Sequence, residues 1–353
     1  MKKISAKIIA DSMSPQGNRI VSFILTYPRI IHGELMTHRM FSRNSASSRA
    51  IPFNKMIEMA ESDPFIPIAW QSKHTGMQGM YYLDGDSEQK LLINKWLEAR
   101  DLAVQQAKLL DNSNVTKQLC NRLLEPFMWH TVLVTATEFD NFFELRCPKY
   151  QTPVSQSVEP QRSWKDLTEV HSNPENLKKL EANKDNWIFK MQHSLSAAEI
   201  HIQALAEAMW DAYNESKPNQ LESGEFHIPF GDQIDEKFIS LKAPEMFPKG
   251  SHIEWSGGMV NEIKVKIATA RCARLSYMTF EGKIDYKKDI ALHDQLLAAK
   301  HASPFEHCCR TLTEEEYNTL GKIVLHPKNG YVFEKGSVDN LKGFISYRRI
   351  LNI

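Results

Sequence analysis

Two short apolar segments open the chain: residues 4–10 (ISAKIIA) and 20–26 (IVSFILT). Both are partly β-branched and read as strands. Pro28 ends the second, because proline cannot donate to a sheet ladder. A short helix is expected over 30–40, followed by a serine-rich loop over 42–48 that Pro52 closes. The first fifty residues therefore commit the chain to an α/β arrangement, and the rest supplies further elements. Residues 72–87, with three glycines, read as a surface loop. Ser87 is placed to cap a helix whose apolar positions include Leu91, Trp96, Leu97, Val104 and Leu110. A further helix is expected over 115–124, a strand over 129–137 and a helix over 138–146. Residues 147–185 read as irregular, 185–213 as the most convincing long helix, and 214–258 as loop-rich. Helices over 260–271, 287–301 and 340–351 complete the pattern. The expected fold class is α/β (α+β), a mixed or antiparallel sheet flanked by helices. No seam divides residues 1–353 into independent domains.

Composition narrows the function classes. The 353 residues carry 43 Lys plus Arg and 43 Asp plus Glu. A balanced charge gives no basic field for a nucleic-acid polymer and no acidic excess of the disordered kind. No run approaches the roughly 20 apolar residues of a membrane helix, so no membrane partner is expected. Met1-Lys2-Lys3-Ile4 has no apolar segment behind it, which argues against a secretory signal. The five cysteines include an adjacent pair, Cys308 and Cys309, but no CxxC. Free thiols in a reducing cytoplasm are the simplest expectation. The 13 histidines show no ligand spacing, so no metal site is expected.

Residues 37–49 (THRMFSRNSASSR) concentrate three arginines, a histidine, four serines and an asparagine. Guanidinium forks, hydroxyls and an amide suit a phosphate or a nucleotide. A solvated basic turn is the plainer alternative.

The spacing of that segment resembles the signature of flavin-dependent thymidylate synthases, the ThyX family: R-H-R, two residues, S, one residue, N, two residues, S, one residue, R. Thr37, His38, Arg39, Ser42, Asn44, Ser47 and Arg49 occupy those positions, and only the first arginine is replaced. Residues 301–307 (HASPFEH) resemble the family's H-x-[ST]-P-F-E-H segment. Taken alone, they read as a proline turn with Glu306 and His307 exposed. Residues 270–277 (ARCARLSY) resemble A-R-V-S-[FY], or else a buried strand or helix terminus. Residues 122–126 (RLLEP) resemble R-x-x-L-P. Residues 141–146 (NFFELR) resemble N-F-x-x-L-R, although Arg146 also suits a helix C-terminus.

The order of these segments departs from the family. There the A-R-V-S and P-F-E-H segments come first; here they come last, as if circularly permuted. That rearrangement is tolerated when chain ends lie close together at a surface. On this reading, residues 1–55 carry the R-H-R-like loop, 115–160 the nucleotide-binding part, 161–259 an insertion, and 260–353 the permuted flavin-binding part. Residues 56–114 have no assigned counterpart.

The resemblance implies FAD as cofactor, with NADPH and methylenetetrahydrofolate as cosubstrates, and methylation of dUMP to dTMP in a homo-oligomer, a tetramer in the family. It implies that His38, Arg39, Asn44, Ser276, His301, Ser303 and Glu306 contact the flavin. It implies that Ser47 and Arg49 hold the nucleotide phosphate, with Arg122 assisting. Arg146 would meet the uracil carbonyl edge and, with Ser47, bear on catalysis. Ser47 suits a phosphate or base contact rather than a nucleophile, since no His–Asp partner is evident.

Three departures matter. Thr37 lacks the charge and fork of arginine. Glu34 puts a carboxylate where the family has glutamine. The family's N-x-R reads here as Thr135-x-Thr137. Tyr347-Arg348-Arg349 offers an arginine that could return to the site. Two alternatives stay open: a related methylase or hydroxymethylase of dUMP or dCMP, and a nucleotide-binding relative without flavin chemistry.

Overall fold

The computed structural model describes residues 2–76, 78–79, 81–151, 159–171, 173–246, 257–275, 285–326 and 330–353. Its centre is a five-stranded sheet. β1 (Ser5–Met13) and β2 (Arg19–Pro28) pair antiparallel through a tight turn in which Gly17 takes φ +78°. β3 (Ser42–Ser45) and β4 (Trp129–Ala136) add two more antiparallel neighbours. β5 (Asn219–Gln220) lies parallel to the end of β1, so the sheet is mixed, in the order β3-β4-β2-β1-β5.

The sheet's two faces differ because side chains alternate along a strand. On one face Val21, Phe23, Leu25 and Tyr27 of β2 stand beside Val132, Val134 and Ala136 of β4, all fully buried. The helix Ile200–Glu215 covers this face with Ile202, Leu205, Ala206 and Met209, and the helix Asp140–Arg146 adds Phe142 and Phe143. Each such large side chain contributes roughly 1.5–3 kcal/mol by leaving water. On the other face lie Ser22 and Thr135, joined by Leu133 and the partly buried Ile24. The helix Gly257–Leu275 packs there with Cys272, and the helix Tyr286–Ala298 packs behind it. A bulge in β1 between Ile8 and Ala10 changes the phase of that strand. Ala6 and Ile8 therefore meet the first core, whereas Ala10 stands opposite Ser22 and Ser12 reaches His227 on the second face.

A small antiparallel sheet of Phe226–His227, Cys309–Thr311 and Phe344–Ser346 lies beyond, and the chain ends in the helix Tyr347–Leu351. All five cysteines are buried, and none forms a disulfide. Among the described residues no helix is long and apolar enough to cross a membrane.

Several local expectations are corrected. The serine-rich stretch is a strand at 42–45, because its polar side chains find partners on both faces. The stretch read as the most convincing long helix, 185–213, is broken, and the longest helix among the described residues is Asp86–Asn112. Its N-cap is Gly85, not Ser87, and no side chain caps it. The stretch 185–213 holds two helices, Trp187–Met191 and Ile200–Glu215, and the second starts on a Glu199 cap. That cap satisfies the backbone N–H groups of His201 and Ile202 and fixes the break. Residues 147–185 are less irregular than expected. They contain the helices Trp164–Val170 and Pro174–Ala182, packed through Trp164, Leu167 and Leu180. The 72–87 loop ends in a short strand, Tyr82–Leu83, paired with Trp70–Gln71.

Candidate functional site

β3 sorts the residues of the 37–49 segment by strand alternation. Arg43 stands opposite Val134 on the apolar face, whereas Ser42 and Asn44 stand opposite Thr135 and Leu133 on the other. Three separate groups result.

The first is a cleft of about 400 Å³ whose lining includes His38, Arg39, Phe41, Phe142 and Arg146. The buried His38 ring lies edge-on to Phe142 at 4.8 Å and near-parallel to Phe41 at 5.9 Å. Arg146, the last residue of its helix, donates from Nε to His38 Nε2 at 3.3 Å. Burial first, then Arg146 and Arg43, lower the His38 pKa to about 4. The imidazole is therefore neutral at pH 7, with Nε2 as the acceptor. Arg146 Nη1 also lies 3.9 Å from Glu34 Oε2. Burial and the nearby Glu199 push the Glu34 carboxyl up, while Arg146 opposes them. Thr37 donates its hydroxyl to the Glu34 carbonyl oxygen of its own helix at 2.7 Å, so it does not stand in for a charged fork. Arg39 is exposed and makes no ion pair among the described residues.

The second group lies on the opposite face. Asn44 Nδ2 donates to the Cys272 carbonyl at 2.5 Å, and Ser303 Oγ donates to Asn44 Oδ1 at 3.2 Å. Segments 259 residues apart are thus tied directly. Asn340 Nδ2 donates to Met40 O and Ser42 Oγ, pinning the C-terminal part to the same strand. Arg348 forms an ion pair with Glu306, so the C-terminal arginine reaches the S-P-F-E turn and engages its acid. Arg349 is exposed. His301 is exposed at the end of the preceding helix, and Ser276 lies outside the described residues.

The third group is a corner where residues 46–51 meet the 3-10 helix Asn121–Phe127. Ser47 and Arg49 sit here, with Arg49 exposed. Asn121 Nδ2 donates to the carbonyls of Ser48 and Ile51 and fixes the turn. Arg122 Nη1 lies 3.7 Å from Glu125 Oε1. This corner does not line the His38–Arg146 cleft.

Two features escaped sequence reasoning. One is the setting of Glu125, described below with Arg29 and His130. The other is a buried polar chain across the second face. Ser12 Oγ hydrogen-bonds His227 Nδ1 at 2.9 Å, and His227 Nε2 bonds Ser22 Oγ at 2.8 Å. Ser22 Oγ bonds Thr135 Oγ1 at 2.6 Å, and Thr135 Oγ1 bonds His307 Nδ1 at 2.9 Å. Burial lowers both histidines to about 3. His307 is thus fully buried, which corrects the exposed position that the proline-turn reading gave it. Ser22 inside an apolar strand was the available signal; nothing local marked His227.

No family model matches this chain, and no curated protein matches it. Among solved structures it is similar to the UMP/dUMP methylase PolB from Streptomyces cacaoi, bound with 5-Br UMP in one and with 5-Br dUMP in another. Each is 12% identical, with a TM-score of 0.39. The match covers 61% of this chain and 90% or 91% of theirs. A likeness this loose carries no weight for fold or activity.

Proposed function

We propose that the chain is a flavin-dependent thymidylate synthase-like enzyme of permuted motif order. It methylates dUMP to dTMP, taking the carbon from methylenetetrahydrofolate and reducing equivalents from NADPH through FAD. The observation that carries this reading is the meeting of His38, Arg39 and Arg146 on one cleft, from segments over 100 residues apart. These three residues are ones that the motif resemblance marks in the sequence.

The lining fits a flat ring that bears phosphates. Phe41, Phe142 and neutral His38 offer apolar and aromatic surface, and Arg39 offers an exposed fork that makes no ion pair among the described residues. His38 and Arg39 would hold the flavin; Asn44, Ser276, His301, Ser303 and Glu306, none of which lines that cleft among the described residues, would support it from another copy of the chain. Bound FAD supplies the hydride chemistry. The chain's own residues bind and orient. Ser47, Arg49 and Arg122 would take the nucleotide phosphate. Arg146, steered by its bond to His38, would meet the pyrimidine carbonyl edge and stabilise negative charge on the ring. His38 at neutral pH is then a positioning group, because its acceptor nitrogen is occupied by Arg146. Within one chain the phosphate corner and the cleft are separate. The reading therefore includes a homo-oligomer, a tetramer as in the family, in which copies complete each other's sites.

A second reading has one observation in its favour. Glu34 beside Arg146 could accept a hydrogen bond from an exocyclic amino group, which suits dCMP better than dUMP.

Absorbance of purified protein tests both. Flavin colour bleached by NADPH, and faster with dUMP, is the expected result. Bleaching that answers only to dCMP selects the second reading. No flavin retained by the protein after incubation with FAD and removal of the excess would end both.

A further inference from the structure

Glu125 sits at the centre of the corner that the proposed function assigns to a phosphate. Ser48 Oγ donates to its Oε1 at 2.5 Å. Arg122 Nη1 lies 3.7 Å from Oε1, and Arg29 Nε lies 3.7 Å from Oε2. Arg29 also donates from Nη1 to His130 Nε2 at 2.8 Å. His130 is buried, and its pKa is pushed far down by burial first and then by Arg29, so it serves here as a neutral acceptor. The cation is thereby held in place from behind. Ser48 and Glu125, together with Arg29, Trp129 and His130, line a cavity of about 20 Å³. The Trp129 indole N–H is buried without a hydrogen-bond partner among the described residues.

The distances distinguish the contacts. The Ser48 bond is short. Both arginines stand beyond hydrogen-bond reach of the carboxylate and make no fork-to-carboxylate pair with it. Two cations and a hydroxyl therefore surround one carboxylate that hydrogen-bonds only the hydroxyl among the described residues. In the R-x-x-L-P pattern this position is leucine, so the carboxylate belongs to this chain's own version of the corner.

We infer that Glu125 is an internal anion that keeps Arg29, Arg122 and Ser48 gathered when no phosphate is present, and that a phosphate monoester binds by taking those donors over from it. This rests on the proposed nucleotide reading for the identity of the ligand, but not for its phosphate chemistry. A dianionic phosphate accepts more hydrogen bonds than a carboxylate, and it pairs with arginine bidentately. Glu125 must then turn away or share the donors at like-charge cost. It thus sets how tightly the corner takes an anion.

Glu125→Gln keeps the side chain's shape and an acceptor for Ser48, and removes the competing charge. Calorimetric titration of the full-length protein with dUMP, deoxyuridine and inorganic phosphate reads the effect. Expected is about tenfold tighter binding of dUMP and of phosphate, equivalent to about 1.4 kcal/mol, with deoxyuridine unchanged. Glu125→Ala, which lacks the acceptor as well, should gain in the same direction. Melting of each variant without ligand separates a folding defect from a binding effect. Unchanged or weaker binding of both anions by two folded variants overturns the inference. Tighter phosphate with no preference for dUMP over phosphate upholds Glu125 as the internal anion and removes the nucleotide reading instead.

Discussion

The two faces of the central sheet are built on different physics. The first is mainly apolar, with Phe23, Leu25, Val132 and Val134 against the helix Ile200–Glu215. The second passes its strand-centre positions to hydroxyls and imidazoles, joined from Ser12 to His307. The apolar face draws its stability from burial, which is non-directional and roughly additive with area. The polar face draws on partners being present, so losing one member exposes the next. Each face also carries part of the candidate site: the His38–Arg146 cleft on the first, the Asn44–Ser303 bond on the second.

Among single substitutions, the largest expected effect is on the apolar face. Phe23→Ala should cost about 3–5 kcal/mol by lost transfer energy plus a cavity, read by urea unfolding. A loss under 1 kcal/mol would mean that this face is loosely packed.

Acid should distinguish the faces next. His227 and His307 titrate near 3 in the fold and near 6.5 when unfolded. Below 6.5 the unfolded chain binds more protons, so stability falls as pH drops, until the folded values are reached. The slope is roughly 1.4 kcal/mol per pH unit for each histidine. Unfolding midpoints measured from pH 7 to 4 should show it, and a flat profile would deny the buried neutral pair.

Thr135→Val is smaller. It keeps the shape of the strand but leaves Ser22 and His307 each short of a bond, at a cost of about 1–3 kcal/mol. Its acid slope should also change, which a purely steric effect would not produce. Smallest is Asn44→Ala, at about 1 kcal/mol. It removes the tie between β3 and the turn at Ser303. Faster proteolysis near residues 301–306, with little change in global melting, is the expected result.

Much of this contrast was legible in the sequence, and the reasons for the rest are specific. β1, β2 and β4 announced themselves through β-branched apolar runs. The helices at 140–146, 257–275 and 286–298 followed their periodicity. β3 did not, because Ser-Arg-Asn-Ser has no apolar alternation, and its strand state comes from pairing with β4. The break near 192–199 was hidden because Glu199 acts as a cap only once the chain has turned. The motif residues could be selected from spacing. Their distribution over a cleft, an opposite face and a corner could not, since strand alternation separates neighbours that a motif writes side by side. Glu125 and Arg29 are 96 residues apart, and no pattern joins them.

The polar chain has one more consequence, which concerns direction. A neutral imidazole has one N–H and one bare nitrogen, and both nitrogens of His227 are engaged by serine hydroxyls. If its proton sits on Nε2, Ser22 must point its hydrogen toward Thr135, and Thr135 toward His307 Nδ1. His307 then keeps its own proton on Nε2. If the His227 proton sits on Nδ1, every hydroxyl reverses and His307 follows to Nδ1. The two rings must therefore share a tautomer, although no atom of one touches the other. The same choice decides whether His307 Nε2, which is buried without a partner, presents a hydrogen or a lone pair.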